Sequence, residues 1–193
     1  MAKVSLLLIV IAFYLICLNK FIGIYMADVY YTASKGKLGE MKIEEARTHI
    51  TKAIGLNRDE PSYYRQKAKV LLAELSISKE ERIRDDVMTA LKQAQALNPH
   101  NLTTLRNIIP LYYFLAAGNM DSPSGANNLS STYFPVTRDY YSNLKKIYAN
   151  DLGVYADVAK YQKKLGLEED FQDTKQKAAR MRQDVVEWHE AFR

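Results

Sequence analysis

Apolar residues are arranged in two ways along this chain: one nearly unbroken run at the amino terminus, then a long stretch in which they return every three or four positions. From Val4 to Leu18 every residue is apolar except Ser5, and after Asn19 and Lys20 the run resumes as Phe21, Ile22, Gly23, Ile24, Tyr25, Met26 and Ala27. At 1.5 Å per residue such a run crosses a hydrocarbon core of about 30 Å, so residues 4–27 are expected to form a transmembrane anchor. A cleaved signal peptide has a shorter apolar region and small residues at its cut, and Tyr25-Met26-Ala27-Asp28 does not suit one. Lys20 is close enough to one end to snorkel toward the headgroups, and Tyr25, Tyr30 and Tyr31 are placed as an interfacial belt. The lysines after the run (Lys20, Lys35, Lys37 and Lys42) against Lys3 before it lean toward a cytoplasmic location for the remainder of the chain.

Beyond residue 28 the period is helical. Ala46, Ile50 and Ala53 recur at spacings of four and three and are followed by Leu56-Asn57 and the break at Asp59-Glu60-Pro61. Val87, Leu91 and Ala94 repeat that spacing before Leu97-Asn98-Pro99. Each reads as a helix with small and apolar residues on one face, stopped by a proline that cannot continue it. A partner helix precedes each one. The first carries Tyr30, Ala33 and Ser34 and ends at a turn over Gly36 to Gly39; the second carries Tyr64, Ala68, Leu71 and Leu72 after Pro61, with Asp59 or Ser62 as its cap. This second pair is lengthened around Glu74 to Arg84. A third unit starts at Leu102 with Leu105, Ile108, Ile109, Tyr112 and Tyr113, then meets an irregular polar loop over 118–136. Helix returns around Asp139 to Asn150. A fourth unit begins at Tyr155, Val158 and Ala159, passes Gly166, and continues through Phe171 and Ala178 to a terminal capping helix over Asp184 to Phe192. Pro110 lies inside the third unit's helix, where its ring meets the Arg106 carbonyl, so a bend is expected. Bend and loop together would open a groove and leave Tyr113 and Phe114 available to a ligand; the alternative is a kink accommodated with both rings in the core.

The unit of helix, turn and helix with an early aromatic, a small residue four positions on, alanine twice in the second helix and a closing proline resembles the tetratricopeptide repeat (TPR). Tyr64, Ala68, Ala94 and Pro99 hold those places in one unit, and Ala46 and Ala53 in the one before it. The resemblance implies an all-α fold: an N-terminal transmembrane helix over 1–27 followed, over 28–193, by an antiparallel helix-pair solenoid of three to four irregular repeats. An irregular helical bundle shares the same periodicity. In such solenoids the fifth and ninth positions of each first helix line the concave groove, which would place Tyr31 and Lys35, Arg65 and Lys69, Arg106 and Pro110, and Ala156 and Lys160 there. With Tyr113, these make a basic stripe with an aromatic end, suited to clamping the carboxylates of an acidic peptide segment from a protein partner. The same charges equally suit a solvated face. More broadly, a membrane helix running into Ala27-Asp28-Val29-Tyr30-Tyr31, then Glu44-Glu45-Ala46, Lys52-Ala53-Ile54 and 57–64, looks like the C-terminal part of bacterial O-antigen ligase and polymerase family proteins. That likeness implies a setting in envelope polysaccharide assembly, with glycan as a further ligand, and carries no catalytic residue.

Composition adds little to this. Net charge is +5 with a pI of about 9.1, which favours acidic peptides, anionic lipid or sugar polymers over any specific nucleic-acid role. The one cysteine, Cys17, lies within the apolar run and leaves no intrachain disulfide. His49, His100 and His189 are scattered without partners at ligand spacing and read as surface residues, so neither a metal nor a cofactor is expected. His189-Glu190 opens like a zinc-protease signature, but Arg193 stands where the second histidine belongs. Acidic pairs such as Glu44-Glu45 and Glu168-Glu169 fall at helix starts, where they complement the dipole. No catalytic centre can be assembled, and the expected role is a membrane-anchored interaction scaffold rather than an enzyme. The alternative is an accessory or truncated C-terminal part of an envelope polysaccharide enzyme.

Overall fold

The apolar run and the helix expected to follow it over Tyr30 to Ser34 are a single element. In the computed structural model, which describes residues 2–117 and 129–192 and side chains from residue 7 onward, helix α1 runs unbroken over Ala2–Gly39. At 1.5 Å per residue it is about 57 Å long. From residue 7 to residue 22 its side chains are exposed except for the half-buried Cys17. Its most apolar stretch has a mean hydropathy of 2.4, and it is long and apolar enough to cross a membrane. Packing against the rest of the chain begins in earnest at Ala27, which is fully buried.

Eight helices form four pairs: α1 with α2 (Ile43–Leu56), α3 (Pro61–Ser78) with α4 (Arg82–Leu97), α5 (Leu102–Ala117) with α6 (Tyr133–Ile147), and α7 (Leu152–Lys164) with α8 (Glu168–Met181). A short α9 (Gln183–Trp188) and a 3₁₀ turn over Glu190–Phe192 close the chain. Within a pair the helices are antiparallel: Lys37 meets Glu45 while Tyr30 stacks on His49, and Thr137 donates to the Tyr112 carbonyl while Tyr141, further along α6, donates to Ile109. The odd-numbered helices lie side by side and parallel, as Asp28 to Tyr63 and Ser34 to Gln66 show for α1 and α3, and Arg106 to Asp157 and Tyr113 to Tyr161 for α5 and α7. On the other side α4, α6 and α8 follow one another through Asp85 to Tyr133 and Arg138 to Asp170. The fold is therefore an all-helical two-layer stack, with no strand among the described residues.

Local chemistry explains most boundaries. Pro61 opens α3, where a missing N–H is harmless, and the Glu60 carboxylate accepts from Ser62 N at 3.0 Å. The cap is thus Glu60, not Asp59 or Ser62. Asp151 caps α7 by accepting from Val154 N at 2.9 Å. Gly166 ends the α7 segment in the left-handed region, φ 71°. The turn expected over Gly36 to Gly39 is instead the last turn of α1, and the chain reverses at Met41, φ 59°. Two glycines did not stop the helix, because the packing of α1 on α2 outweighs their cost of about 1 kcal/mol each. The lengthened second pair resolves into α3, a left-handed Lys79 and α4.

The expected loop over 118–136 falls partly outside the described residues, at 118–128. Its end is helical, since α6 starts at Tyr133 and serves as the second helix of the third pair. Helix α5 is continuous through Pro110. Tyr113 is 1% exposed and Phe114 8%, so the groove-opening reading is wrong and both rings belong to the core. Burial follows because α3, α4, α6 and α7 all pack against α5. Three hydroxyls on α6 reach α5 carbonyls: Tyr140 to Leu105, Tyr141 to Ile109 and Thr137 to Tyr112, at 2.7, 3.1 and 3.0 Å. The α6 hydroxyls thus find acceptors on α5, and three of its carbonyls accept a bond from the neighbouring helix. At the end of the stack Phe192, Val186 and Ala191 cover Tyr155, Phe171 and Ala178, so the terminal segment does close the last apolar face, with a break at His189.

Candidate partner-binding face

Side chains along the odd-helix layer divide into two groups. At the α1–α3 end, Tyr31 is half-buried and tilted against Tyr63, ring centroids 5.3 Å apart, with the Lys35 ammonium 5.5 Å from the Tyr31 ring. Asp28, below them, is taken by the Tyr63 hydroxyl at 2.6 Å, and Ser34 by Gln66 at 3.5 Å. Those two bonds fix the register of α3 on α1, and burial followed by the Asp28 bond raises the Tyr63 phenol pKa. Above them Lys35, Arg65 and Lys69 come together. Burial lowers the Lys69 ammonium pKa, and Arg65 and Lys35 add to the effect by repulsion. The Arg65 Nε is buried with no acceptor.

The α5–α7 end differs. The Arg106 guanidinium donates through Nε to Asp157 at 2.7 Å and lies flat over Gly153, where an added Cβ would come within 2.7 Å of Nη1. Glycine at 153 is what lets Arg106 reach across. Lys160 is exposed, its ammonium 5.8 Å from the Tyr161 ring. Tyr113, expected in the groove, is buried beneath Tyr161 with the Lys164 ammonium 5.6 Å from its ring. Pro110 is half-buried and Ala156 buried. The continuous basic stripe is therefore broken: Lys35, Arg65 and Lys69 converge, Arg106 is neutralised, and Lys160 stands apart. Asp157, which decides this, comes directly after the expected groove position Ala156, and an acid beside that position is the signal that would have revealed it.

Two further groups bear on the face. Tyr30 and Tyr31 are not free for a membrane belt, because Tyr30 stacks on His49 at 5.9 Å and Tyr31 on Tyr63; Tyr25 remains exposed. His49 is accordingly half-buried, not a surface residue. Between α6 and α8 a second charged recess holds Arg138, Lys145 and Lys177. Lys146 also lines it, and the other three cations each have a partner: Arg138 meets Asp170 at 2.5 Å, Lys145 meets Thr174 at 2.6 Å, and Lys177 meets Asp173 at 2.9 Å. Thr174 passes its hydrogen to Gln162 at 2.7 Å. Burial lowers the Lys145 pKa and Asp173 opposes it, as in a satisfied structural brace. No protein-family model matches this chain, and none of the curated proteins is similar to it.

Proposed function

We propose that this chain is a single-pass membrane protein whose TPR-like helix pairs hold an acidic segment of a partner protein against Lys35, Arg65 and Lys69. The observation that carries the reading is a charge imbalance. Three cations converge on one face with no carboxylate paired to any of them among the described residues, and one guanidinium N–H is buried without an acceptor. A bound carboxylate would relieve the repulsion and supply that acceptor, and a planar guanidinium is well shaped to take it in bidentate fashion. Tyr31 would flank the bound segment. The long α1 would hold this face at a fixed height above the bilayer, since no flexible linker separates anchor from repeats. The lysine excess after the span supports a cytoplasmic repeat domain.

The test uses the full chain in lipid nanodiscs against an array of acidic, neutral and basic peptides. Acidic peptides should bind preferentially and release as salt is raised, and Arg65→Glu with Lys69→Glu should abolish the preference. Arg106→Gln should leave it nearly unchanged, because that side chain is already paired. On binding, the Lys69 ammonium pKa should return upward, measured from its side-chain NMR signals. Equal binding of all three peptide classes, or indifference to the double reversal, would sink the proposal. Protease cleavage of the repeats from outside intact cells would overturn the orientation.

A further inference from the structure

The α1–α2 pair carries a second unpaired cationic feature at the opposite end, where the helices meet the bilayer. Counted from residue 4, about twenty residues cross the hydrocarbon core, which brings the far interface to Gly23. Helix α2 ends at that level: the Leu56 carbonyl lies 3.9 Å from where a Gly23 Cβ would be. Between the end of α2 and α1 is a groove of about 840 Å³ with an apolar floor that includes Ile16, Ile22, Met26 and Leu56, and with Lys20 and Lys52 on its rim. Ile16 is 67% and Leu56 47% exposed. The Lys52 ammonium sits 5.5 Å from the Tyr30 ring, and no carboxylate pairs with it or with Lys20 among the described residues.

We propose that this groove binds one anionic phospholipid of the host bilayer, its phosphate between Lys20 and Lys52 and one acyl chain along Ile22 and Ile16. The inference rests on the reading of α1 as a spanning helix. Three features converge on a lipid over other occupants. The floor continues downward from Leu56 into the hydrocarbon along α1, where only an acyl chain can follow it. The two ammonium groups flank the interface level, one reaching up from a turn inside the core and one from the face of α2. The end of α2 meets α1 beside Gly23 and roofs the groove there. The carbonyl end of α2 repels an anion, so two lysines rather than one are required. A lipid held there would fix the angle between anchor and repeats, because it fills the wedge between α1 and α2.

The experiment places a single indole at the groove mouth through Leu56→Trp with Trp188→Phe, in the full chain reconstituted in phosphatidylcholine vesicles. Dibrominated phosphatidylglycerol or dibrominated phosphatidylcholine is titrated in as quencher. The anionic lipid should quench with roughly thirtyfold preference over the zwitterionic one, the scale expected for two lysines near an anionic surface. Lys20→Gln with Lys52→Gln should reduce the preference to about onefold. Lys37→Gln with Lys42→Gln, which removes the same charge from the other end of the pair, should leave it intact. Equal quenching by both lipids, a preference that survives loss of Lys20 and Lys52, or no quenching in a chain that stays membrane-bound each overturns the lipid site alone. An unquenched indole in a chain that alkaline carbonate strips from the vesicles overturns the spanning reading, and the site with it.

Discussion

Phe192 closes the stack, and its removal gives a sharp test of how stability is distributed. The ring is 1% exposed and lies among Tyr155, Ala159, Phe171, Ala178 and Val186, the apolar face left open by the last helix pair. A buried aromatic covers roughly 150–250 Å². At about 25 cal/mol per Å² this sets an upper estimate of about 4–6 kcal/mol. Truncations of buried Phe to Ala cost about 3–5 kcal/mol, and because the 3₁₀ turn at the chain end can settle into the space, the low end of about 3 kcal/mol is expected for Phe192→Ala. In a stack where each pair touches only its neighbours the loss should stay local. Guanidinium unfolding of the full chain in micelles should show an early transition confined to α7, α8 and α9. Hydrogen exchange should show amides of α7 and α8 losing protection while those of α3 and α4 keep theirs. A cost under about 0.5 kcal/mol, the range of ordinary surface substitutions, would refute the capping role. Equal loss of protection in α3 and α4 would refute the local-stability argument, since it would mean that the chain unfolds as one unit.

Other consequences can be checked as directly. Burial and then the bond to Asp85 push the Tyr133 phenol up to about 12. Because the folded value lies above the unfolded one near 10, its contribution is complete below pH 10 and is lost as pH rises toward 12. Tyr133→Phe should therefore flatten the fall in stability over that interval, followed by thermal unfolding at successive pH values; an unchanged slope would dismiss the effect. Gly153→Ala should push the Arg106 guanidinium away from Asp157. Net stability should change by less than about 1 kcal/mol, as the helix gain offsets an exposed pair. The Arg106–Asp157 coupling, about 0.2–1 kcal/mol by double-mutant cycle with Asp157→Asn, should vanish in that background. Ile9→Arg with Leu15→Arg should add about 2.5–3.5 kcal/mol per residue to insertion and release the chain to the soluble fraction. Continued tight membrane association would show that the helix pairs beyond the apolar run hold it there.

Helix identity and pairing were legible in the residues themselves. The four-and-three spacing of Ala46, Ile50 and Ala53, and of Val87, Leu91 and Ala94, marks faces that are all buried in the structure, because a helical period leaves only one face for the core. The apolar run to Ala27 likewise announces a helix with no protein partner over most of its length. Tertiary packing alone decided the rest. Gly36 and Gly39 stay helical, although both are exposed, because they belong to a helix that packs along α2 through its other residues. Tyr113 and Phe114 are buried because neighbouring helices enclose α5, whatever Pro110 does to its backbone. Arg106 loses its positive face to an aspartate 51 positions away, while Arg65 and Lys69 keep theirs because no carboxylate among the described residues pairs with them. Local pattern encodes which face of a helix turns inward, since that depends on residues three and four apart. Which charges then meet across helices depends on the register at which those faces dock, and that register is set by the shapes of all the buried side chains together.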